Sequence, residues 1–343
     1  MNAQKLVSIV TPCFNGEDYL DRYFSCILAQ TYPAIELIFI DDGSSDRTLQ
    51  IAESWRDRLE GRGISYKLLT HANGGQASAI NMGLREVTGE YITWPDSDDI
   101  LRADAIESKA AFLDENPGLG LVVSDVNIAD ESDPYRVLGR QHFDEALGPR
   151  IFDALVREKS GSFCSGIAYM ARTQCLFEAI GGRHIYESRS GQNWQLLFPL
   201  TYHYDAGFIN EPLATYIVRK DSHSHSYISL EQQLRRTYEL QDIIDHVLPG
   251  MHMSKDDHAV YTHYVSIKYL SQRFKLAIGL GNPELAVLTS SALDGEYGPS
   301  WTRRALLQAC RMGFGPVVYK AARAVKAAGR RAEGIIWKEG RNA

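Results

Sequence analysis

The chain has 343 residues, of which 44% are hydrophobic and 23% are charged, and its formal net charge is −7. This length and composition indicate a soluble globular protein with two domains, or one large domain and an extension. The negative charge argues against non-specific nucleic-acid binding, and five scattered cysteines without a CxxC pair argue against a zinc ribbon or a disulfide framework.

Strand-like and helix-like segments alternate over the first third of the chain. Apolar runs typical of buried strands occur at 6–14, 35–45, 64–72, 91–98 and 119–128, with helical patterns at 17–30, 46–61, 75–87 and 103–116. Such alternation is typical of βαβ units. The sequence therefore predicts an α/β fold with a Rossmann-like, mostly parallel central sheet flanked by helices, and ligands at the carboxyl ends of the strands.

The pattern changes after about residue 130. A helix ending at Gly181-Gly182, a helical stretch at 190–202 and a strand at 208–219 complete the first region. Ser229-x-x-Gln232 is a capping box that opens a long helix, and further helices are predicted at 255–279 and 283–293. We therefore predict a first domain over residues 1–228 and a helical C-terminal region over 229–343.

The C-terminal tail differs in charge from the rest of the chain. Residues 301–343 contain ten basic residues and two glutamates, giving 10 − 2 = +8, so the remainder carries −7 − 8 = −15. A basic amphipathic helix here would suit peripheral contact of residues 301–340 with an anionic membrane, and the alternative is a solvated helix face. Because the first apolar run is too short for a secretion signal, we expect a cytoplasmic protein, with this contact at the inner membrane.

Three carboxylates crowd the end of the fourth predicted strand. Asp96, Asp98 and Asp99 fall within four residues, and like charges this close repel one another. A divalent cation relieves the repulsion, and Mg²⁺ typically takes one or two protein carboxylates while leaving positions for substrate phosphates. The alternative is a turn whose aspartates cap the next helix, which suits Asp99. Both interpretations stay open on this motif alone.

Polar loops also follow the first three predicted strands. Their notable residues are Pro12, Asn15, Asp41, Asp42, Asn73 and Gly75. Each loop alone is explained by turn formation. Four such loops at four successive strand ends indicate a ligand site, because open α/β sheets bind ligands at that edge.

Four motifs in this order resemble those of the family 2 glycosyltransferases, which have the GT-A fold. They are Thr11-Pro12-x-Phe14-Asn15, Asp41-Asp42-Gly43-Ser44-x-Asp46, Asn73-x-Gly75-x-x-x-Ala79-x-Asn81-x-Gly83 and Asp96-x-Asp98-Asp99. The resemblance covers about residues 5–225. It implies an inverting enzyme that takes a sugar from a nucleotide-diphosphate sugar and uses a divalent metal, Mn²⁺ or Mg²⁺, as cofactor.

The resemblance also assigns roles by position. It implies nucleotide-sugar binding by Pro12, Asn15, Asp41, Asp42, Asn73, Gly75, Asn81, Asp96 and Ser97. It implies that Asp98 holds the metal bound to the diphosphate. With a metal on the leaving diphosphate, a carboxylate base would deprotonate the acceptor hydroxyl.

The base is where this sequence departs from the family. The family usually carries Glu-Asp before a helix, whereas the corresponding site here reads Gly191-Gln192-Asn193-Trp194, and amides are not bases near neutral pH. We favour Glu187 as the catalytic base. Asp205 or a histidine is an alternative, and so is an alignment shifted by one helical turn.

Two further groups of residues are candidates for binding the acceptor and the metal. Gln192, Asn193 and Trp194 would orient the acceptor, because an aromatic face beside amides suits a sugar; alternatively Trp194 is core and the amides cap its helix. His223 and His225 alternate, so on an extended chain they share a face, and either is a candidate metal ligand beside Asp98. An imidazole ligand would favour Mn²⁺ over Mg²⁺.

The predicted function is an inverting transfer of sugar from a nucleotide-diphosphate sugar, with UDP favoured. The expected acceptor is a hydroxyl of a surface polysaccharide or a lipid-linked glycan. One alternative is a catalytically degenerate nucleotide-sugar or glycan-binding protein, which the Gln192-Asn193 departure keeps open. Another is a sugar-nucleotide pyrophosphorylase, against which the lack of a basic residue directly after the first strand counts.

Overall fold

A computed structural model describes residues 4–189, 191–219 and 229–325. The described parts of Met1–Ser222 and Ile243–Met253 form one compact unit, and those of His223–Asp242 and Ser254–Ala343 form a second. The boundary predicted at residues 228 and 229 stays a prediction.

The helices and strands alternate as the sequence indicates. The strands are β1 (Val7–Cys13), β2 (Ile35–Asp41), β3 (Ser65–Thr70), β4 (Tyr91–Thr93), β5 (Ile100–Leu101), β6 (Leu121–Asp130), β7 (Gly139–Gln141), β8 (Tyr169–Arg172) and β9 (Ala206–Val218). The helices are α1 (Leu20–Leu28), α2 (Thr48–Ser54), α3 (Arg56–Gly61), α4 (Gln76–Glu86), α5 (Ala105–Glu115), α6 (Phe152–Val156), α7 (Thr173–Ala179), α8 (Gln192–His203), α9 (Leu230–Gly250), α10 (Lys255–Leu280), α11 (Pro283–Tyr297) and α12 (Trp301–Arg311). Residues 315–325 are also helical.

One mixed sheet organises the first unit. Its strand order is β3-β2-β1-β4-β8-β6-β9-β5, with β7 on β6. β1 to β4 pair in parallel, as do β6 and β9, whereas β8 runs antiparallel to both β4 and β6. The predicted α/β class is confirmed, and its parallel pairing lies in these two groups of strands.

Burial explains why the first strands were easy to predict. β1 and β2 are buried along their whole length, as continuous apolar runs require. Helix α4 approaches this sheet closely at Gly83, where a Cβ atom would come within 2.4 Å of Val10 Cγ1. Because α4 follows β3, its N-terminus lies at the edge where the loops after the strands meet.

The chain departs from the predicted elements at two places. β4 ends at Thr93 because Pro95 lacks the N–H that would extend the ladder. The helix predicted at 46–61 is two helices, α2 and α3, which meet at Trp55. The short strands β5, β7 and β8 were not predicted, since their two to four residues carry too little periodicity.

The second unit is helical. The predicted capping box is confirmed, because the Ser229 N–H donates to Gln232 Oε1 at 2.8 Å and the Gln232 N–H donates to Ser229 Oγ at 3.2 Å. Its core is a cluster of small and apolar side chains from α10, α11 and α12: Phe274, Ala277, Ile278, Ala286, Leu293 and Cys310. No helix among the described residues is long and apolar enough to span a bilayer.

Lys109 on α5 is an ionisable group without solvent exposure. Its Nζ donates to the Ile167 carbonyl at 2.7 Å, and burial lowers the pKa of the ammonium from 10.5 to about 7. The unfolded chain therefore keeps this proton between pH 7 and 10 while the folded chain loses it. Because the unfolded state then binds more protons than the folded state, the free energy of unfolding should rise with pH in this window.

Replacing Lys109 by methionine should remove this pH dependence. We expect wild type to gain stability relative to Lys109→Met by up to about 1.4 kcal/mol per pH unit between pH 7 and 9.5, measured by urea denaturation. Lys67→Met is the matched control, because the Lys67 ammonium also donates to a backbone carbonyl, that of Glu86, but its side chain is one-third exposed. Parallel curves for wild type and Lys109→Met would show that Lys109 does not titrate as described.

Candidate functional site

The loops after β1 and β2 are tied to each other. The Asn15 N–H donates to Ser44 Oγ at 2.8 Å, and Asn15 Oδ1 accepts from the Ser45 N–H at 2.9 Å. Asn15 has a φ of 51°, a conformation that asparagine tolerates better than most residues. Pro12, by contrast, is buried within β1. These contacts fix the first wall of the site and leave little freedom for the Asn15 side chain.

The two aspartates after β2 organise the neighbouring loops. Asp41 accepts from the Ser44 N–H at 3.1 Å and from the Thr70 hydroxyl at 3.4 Å. Asp42 accepts from the N–H groups of Gly74 and Gly75 at 2.8 and 2.9 Å. Both carboxylates are almost fully buried. The Asp42 carboxylate thus holds the glycine loop before α4 in place.

The carboxylates after β4 have unlike surroundings. Among the described residues none donates a hydrogen bond to the Asp96 carboxylate, and its burial, with the nearby Asp98 charge, raises its pKa to about 7. Asp98 lies 3.2 Å from Arg219 Nη1. Asp99 is 1% exposed, and its Oδ1 accepts from the Ile217 N–H at 2.9 Å. Burial, with the charges of Asp98 and Asp96, raises the pKa of Asp99 well above its usual value.

The suggestion that Asp99 caps the next helix is wrong. Helix α5 begins only at Ala105, and its first turn follows Asp104. Asp99 instead connects the carboxylate turn to β9, and β5 pairs with the same strand directly afterwards. Asp99 therefore attaches the turn to β9, and Asp96 and Asp98 are the carboxylates that remain to contact a ligand.

Two arginines supply positive charge beside the carboxylates. Arg219 contacts Asp98, lies 3.8 Å from Glu131 Oε2 and stacks on the Tyr19 ring at 4.3 Å. Arg22 on α1 donates to the Asp98 carbonyl at 2.7 Å. Sequence reasoning missed Arg22. In the sequence, Arg22 was recognisable only as a cation beside the apolar face of α1.

A segment that we call the strap, residues 183–189, lies along α4. Arg183 donates to the carbonyls of Leu84, Arg85 and Val87 at the end of this helix. Asn81 is 1% exposed, and its amide both donates to and accepts from the Ile185 backbone, at 2.8 and 2.7 Å. The Asn81 side chain is thereby committed to the strap. Sequence reasoning missed this role, since nothing in the pattern links residues 104 positions apart.

The strap closes over the glycine loop at its other end. Arg189 Nη1 donates to Asn73 Oδ1 at 3.3 Å. Gly75 has a φ of +90°, and a Cβ atom there would lie 3.0 Å from the Arg189 Cα atom. Only glycine combines that backbone conformation with this close approach. The strap and the loop before α4 therefore form one continuous wall.

The strap also carries the favoured base. Glu187 is 61% exposed, and its Oε1 lies 3.8 Å from His184 Nε2. Asp205, the alternative, pairs with Arg150, and its carbonyl accepts from the Gly120 N–H at the amino ends of β6 and β9. That end of the sheet is opposite to the loops that follow β1, β2 and β4. The topology therefore separates Asp205 from the other candidate residues and keeps Glu187 on a wall of the site.

The first turn of α8 is packed into the protein. Asn193 Oδ1 accepts from Trp94 Nε1 at 3.0 Å, and Gln192 is 5% exposed. Trp194 is partly buried and stacks on Phe198, with ring centroids 5.7 Å apart. Ser97 is 5% exposed in the carboxylate turn. The role of the α8 residues in acceptor binding stays a prediction.

The donor set fits a hard divalent cation. Among residues 4–189, 191–219 and 229–325, no three His, Cys, Asp or Glu side chains are grouped closely enough to hold a metal. Asp96 and Asp98 nevertheless offer two carboxylates, one of them without a hydrogen-bond donor, and two is a number typical of magnesium sites that share a substrate phosphate. The proposed ligands His223 and His225 lie outside the described residues.

Comparison with known proteins finds similarity over part of the first unit. Residues 8–176 match the family model described as Glycosyl transferase family 2. An uncharacterized glycosyltransferase of Haemophilus influenzae is 39% identical over 111 residues, which are 32% of this chain and 43% of that protein. The matched segment thus covers less than half of that relative.

Two solved structures share the fold at low sequence identity. Residues 1–349 of TarS from Staphylococcus aureus in complex with UDP-GlcNAc superpose with a TM-score of 0.58 and 19% identity, covering 93% of this chain and 92% of that one. The mannosyltransferase PcManGT from Pyrobaculum calidifontis, in complex with GDP-Man and Mn²⁺, gives 0.51 and 18%, covering 95% and 87%. The predicted GT-A type of fold is thereby confirmed.

Proposed function

Because residues 8–176 are a family 2 glycosyltransferase domain, we propose that this chain transfers a sugar, with inversion, from a nucleotide-diphosphate sugar to an acceptor hydroxyl. One observation carries the proposal. The Asp96 carboxylate lies beside Asp98 at a strand end, with no hydrogen-bond donor among the described residues. Three loops cross-linked by Asn15, Asp42 and Arg189 surround that edge.

The comparison structures support a nucleotide-sugar donor. The TarS structure holds UDP-GlcNAc and the PcManGT structure holds GDP-Man with Mn²⁺. For this chain we propose a UDP-sugar as donor and a surface polysaccharide or lipid-linked glycan as acceptor. Asp98, with His223 and His225, would hold a divalent cation that supplies positive charge for the leaving diphosphate.

In the proposed reaction, Glu187 removes the proton from the acceptor hydroxyl. The acceptor oxygen then bonds to the anomeric carbon on the face opposite the diphosphate, and the bond from that carbon to the diphosphate oxygen breaks with its electron pair. The arrangement of Arg22 and Arg219 about Asp98 adds fixed positive charge close to the departing group. Attachment of the strap to α4 holds Glu187 on the wall of the pocket.

A calorimetric screen tests the donor class. UDP, GDP, dTDP and CMP would each be titrated into the full chain with and without Mn²⁺. The proposal predicts that one diphosphate binds, and only with metal. Binding that ignores the metal, or no binding of any of the four, would contradict it.

The second candidate is a nucleotide-sugar-binding protein without turnover. It is favoured by two amides at the positions where the family's acidic pair is expected: Gln192 is buried, and Asn193 accepts a hydrogen bond from Trp94. Slow hydrolysis of the bound donor with Mn²⁺ separates the two candidates, since a pure binder releases no free sugar.

We also propose peripheral membrane contact through the C-terminal region. Residues 298–325 contain five cations and no acidic residue. Trp301, Met312, Val317 and Val325 are each more than 60% exposed there. Apolar side chains interspersed with cations suit the interface of an anionic bilayer.

Charge reversal should weaken this contact. We expect Arg304→Glu to weaken binding of the full chain to phosphatidylglycerol vesicles, measured by sedimentation, by about thirtyfold, since each unit of charge near such a surface contributes about 1 kcal/mol and the reversal changes two. Lys255→Glu makes the same charge change at an exposed position on α10. Equal loss of binding in both variants would mean that net charge, and not this stretch, determines binding.

A further inference from the structure

The second unit contains a cavity that the proposed transfer reaction does not use. Its volume is about 690 Å³, within the range of about 300–1,000 Å³ that is usual for small-molecule pockets. Its walls come from the first half of α9, from α10 and α12, and from the helix at 315–325. All of these residues lie in the one compact unit.

The cavity is cationic at its mouth and apolar at its base. Arg236, Lys275 and Arg323 line it, and none of its described lining residues is acidic. Lys275 and Arg323 are exposed, whereas Leu276 and Ile278 are at most 7% exposed. Ile278 belongs to the core cluster of the unit, so the cavity leads from charged surface to hydrophobic core.

The change from a cationic mouth to an apolar base suits an amphiphile with an anionic head group. Guanidinium groups bind phosphate oxygens in pairs, and an ammonium adds a point charge. An apolar solute would bring no counter-charge to the cations at the mouth, and inorganic phosphate would leave the apolar base empty. The C-terminal residues of the chain itself are a poor occupant, because residues 326–343 carry five cations against two glutamates.

We propose that this cavity binds the phosphate head and adjoining hydrocarbon of one anionic lipid taken from the membrane. The neighbouring exposed side chains favour a membrane source: Met312, Phe314 and Val317 flank the start of the helix that lines the cavity. None of the residues that line the cavity is assigned to sugar transfer, and its occupancy does not depend on whether the chain transfers sugar.

Calorimetric titration of the full chain tests the proposal, with dodecyl phosphate as first probe and no nucleotide present. We expect binding of dodecyl phosphate and at least tenfold weaker binding of dodecyl maltoside and of inorganic phosphate. Lys275→Glu should weaken dodecyl phosphate binding about tenfold or more. Lys320→Glu, the same change on an exposed residue that does not line the cavity, should alter it less than twofold.

A second variant tests the apolar part. Ala322→Trp fills the cavity from an exposed position and should abolish dodecyl phosphate binding while the melting temperature stays close to wild type. Equal losses in Lys275→Glu and Lys320→Glu, or unchanged binding in Ala322→Trp, would overturn the site. Dioctanoyl phosphatidic acid should bind at least as tightly as dodecyl phosphate; binding more than tenfold weaker would overturn the membrane source.

Discussion

Asp98→Asn is expected to weaken metal-dependent binding of the nucleoside diphosphate by at least about 100-fold, because the amide cannot replace a charged carboxylate as ligand to a hard cation. The side chain stays the same size, and Asp98 is only one-fifth exposed beside Arg219. Calorimetry with Mn²⁺ and the diphosphate identified by the screen provides the measurement.

Asp99→Asn is the matched control for this experiment. Asp99 is buried and directed at the Ile217 N–H, and an amide oxygen accepts that hydrogen bond equally well. We therefore expect binding within about threefold of wild type, since no charged group that meets the ligand is lost. Equal loss of diphosphate binding in both variants would mean that binding depends only on the shape of the turn, and the assignment of Asp98 to the metal would be wrong.

Glu187→Gln is expected to lower the rate of sugar transfer by about 10²–10⁴-fold and to leave the affinity for the diphosphate unchanged. Its exposed carboxylate contacts only His184, at 3.8 Å, among the described residues. Loss of the charge should therefore not disturb the fold. A donor-hydrolysis assay with Mn²⁺ gives the rate when the acceptor is unknown.

The control for the base is Asp205→Asn. Asp205 was the other acidic candidate, but it lies at the amino ends of β6 and β9 and pairs with Arg150. Its variant should keep the wild-type rate after correction for folded protein. The assignment fails if Glu187→Gln retains activity, or if Asp205→Asn loses it.

The sequence predicted what is encoded locally. β1 and β2 are continuous apolar runs because both faces of each strand are buried, and the capping box at Ser229 needs only residues three apart. The polar loops after the strands were recognised for the same reason, since each follows its strand directly. The resemblance to the family then predicted a shared ligand site for these loops.

What the sequence did not predict depends on distant partners. β5 has two residues and exists because β9 pairs with it, and β8 is a strand because β4 and β6 lie on either side. The pairing of the Asn81 amide with the Ile185 backbone was also not predicted, and the role of Asn81 in nucleotide binding stays a prediction. A pattern of neighbouring residues contains no information about such pairings.

The anchoring of the carboxylate turn by β9 has a consequence for synthesis of the chain. Asp99 and Ile217 are 118 residues apart, and Asn81 meets the strap 104 residues later. All four recognisable motifs leave the ribosome before either partner does. Until β9 has emerged, the nascent chain therefore has an incomplete pocket whose carboxylate turn lacks its contact with that strand. Completing the pocket closes loops of about a hundred residues, and such long-range closure is slow.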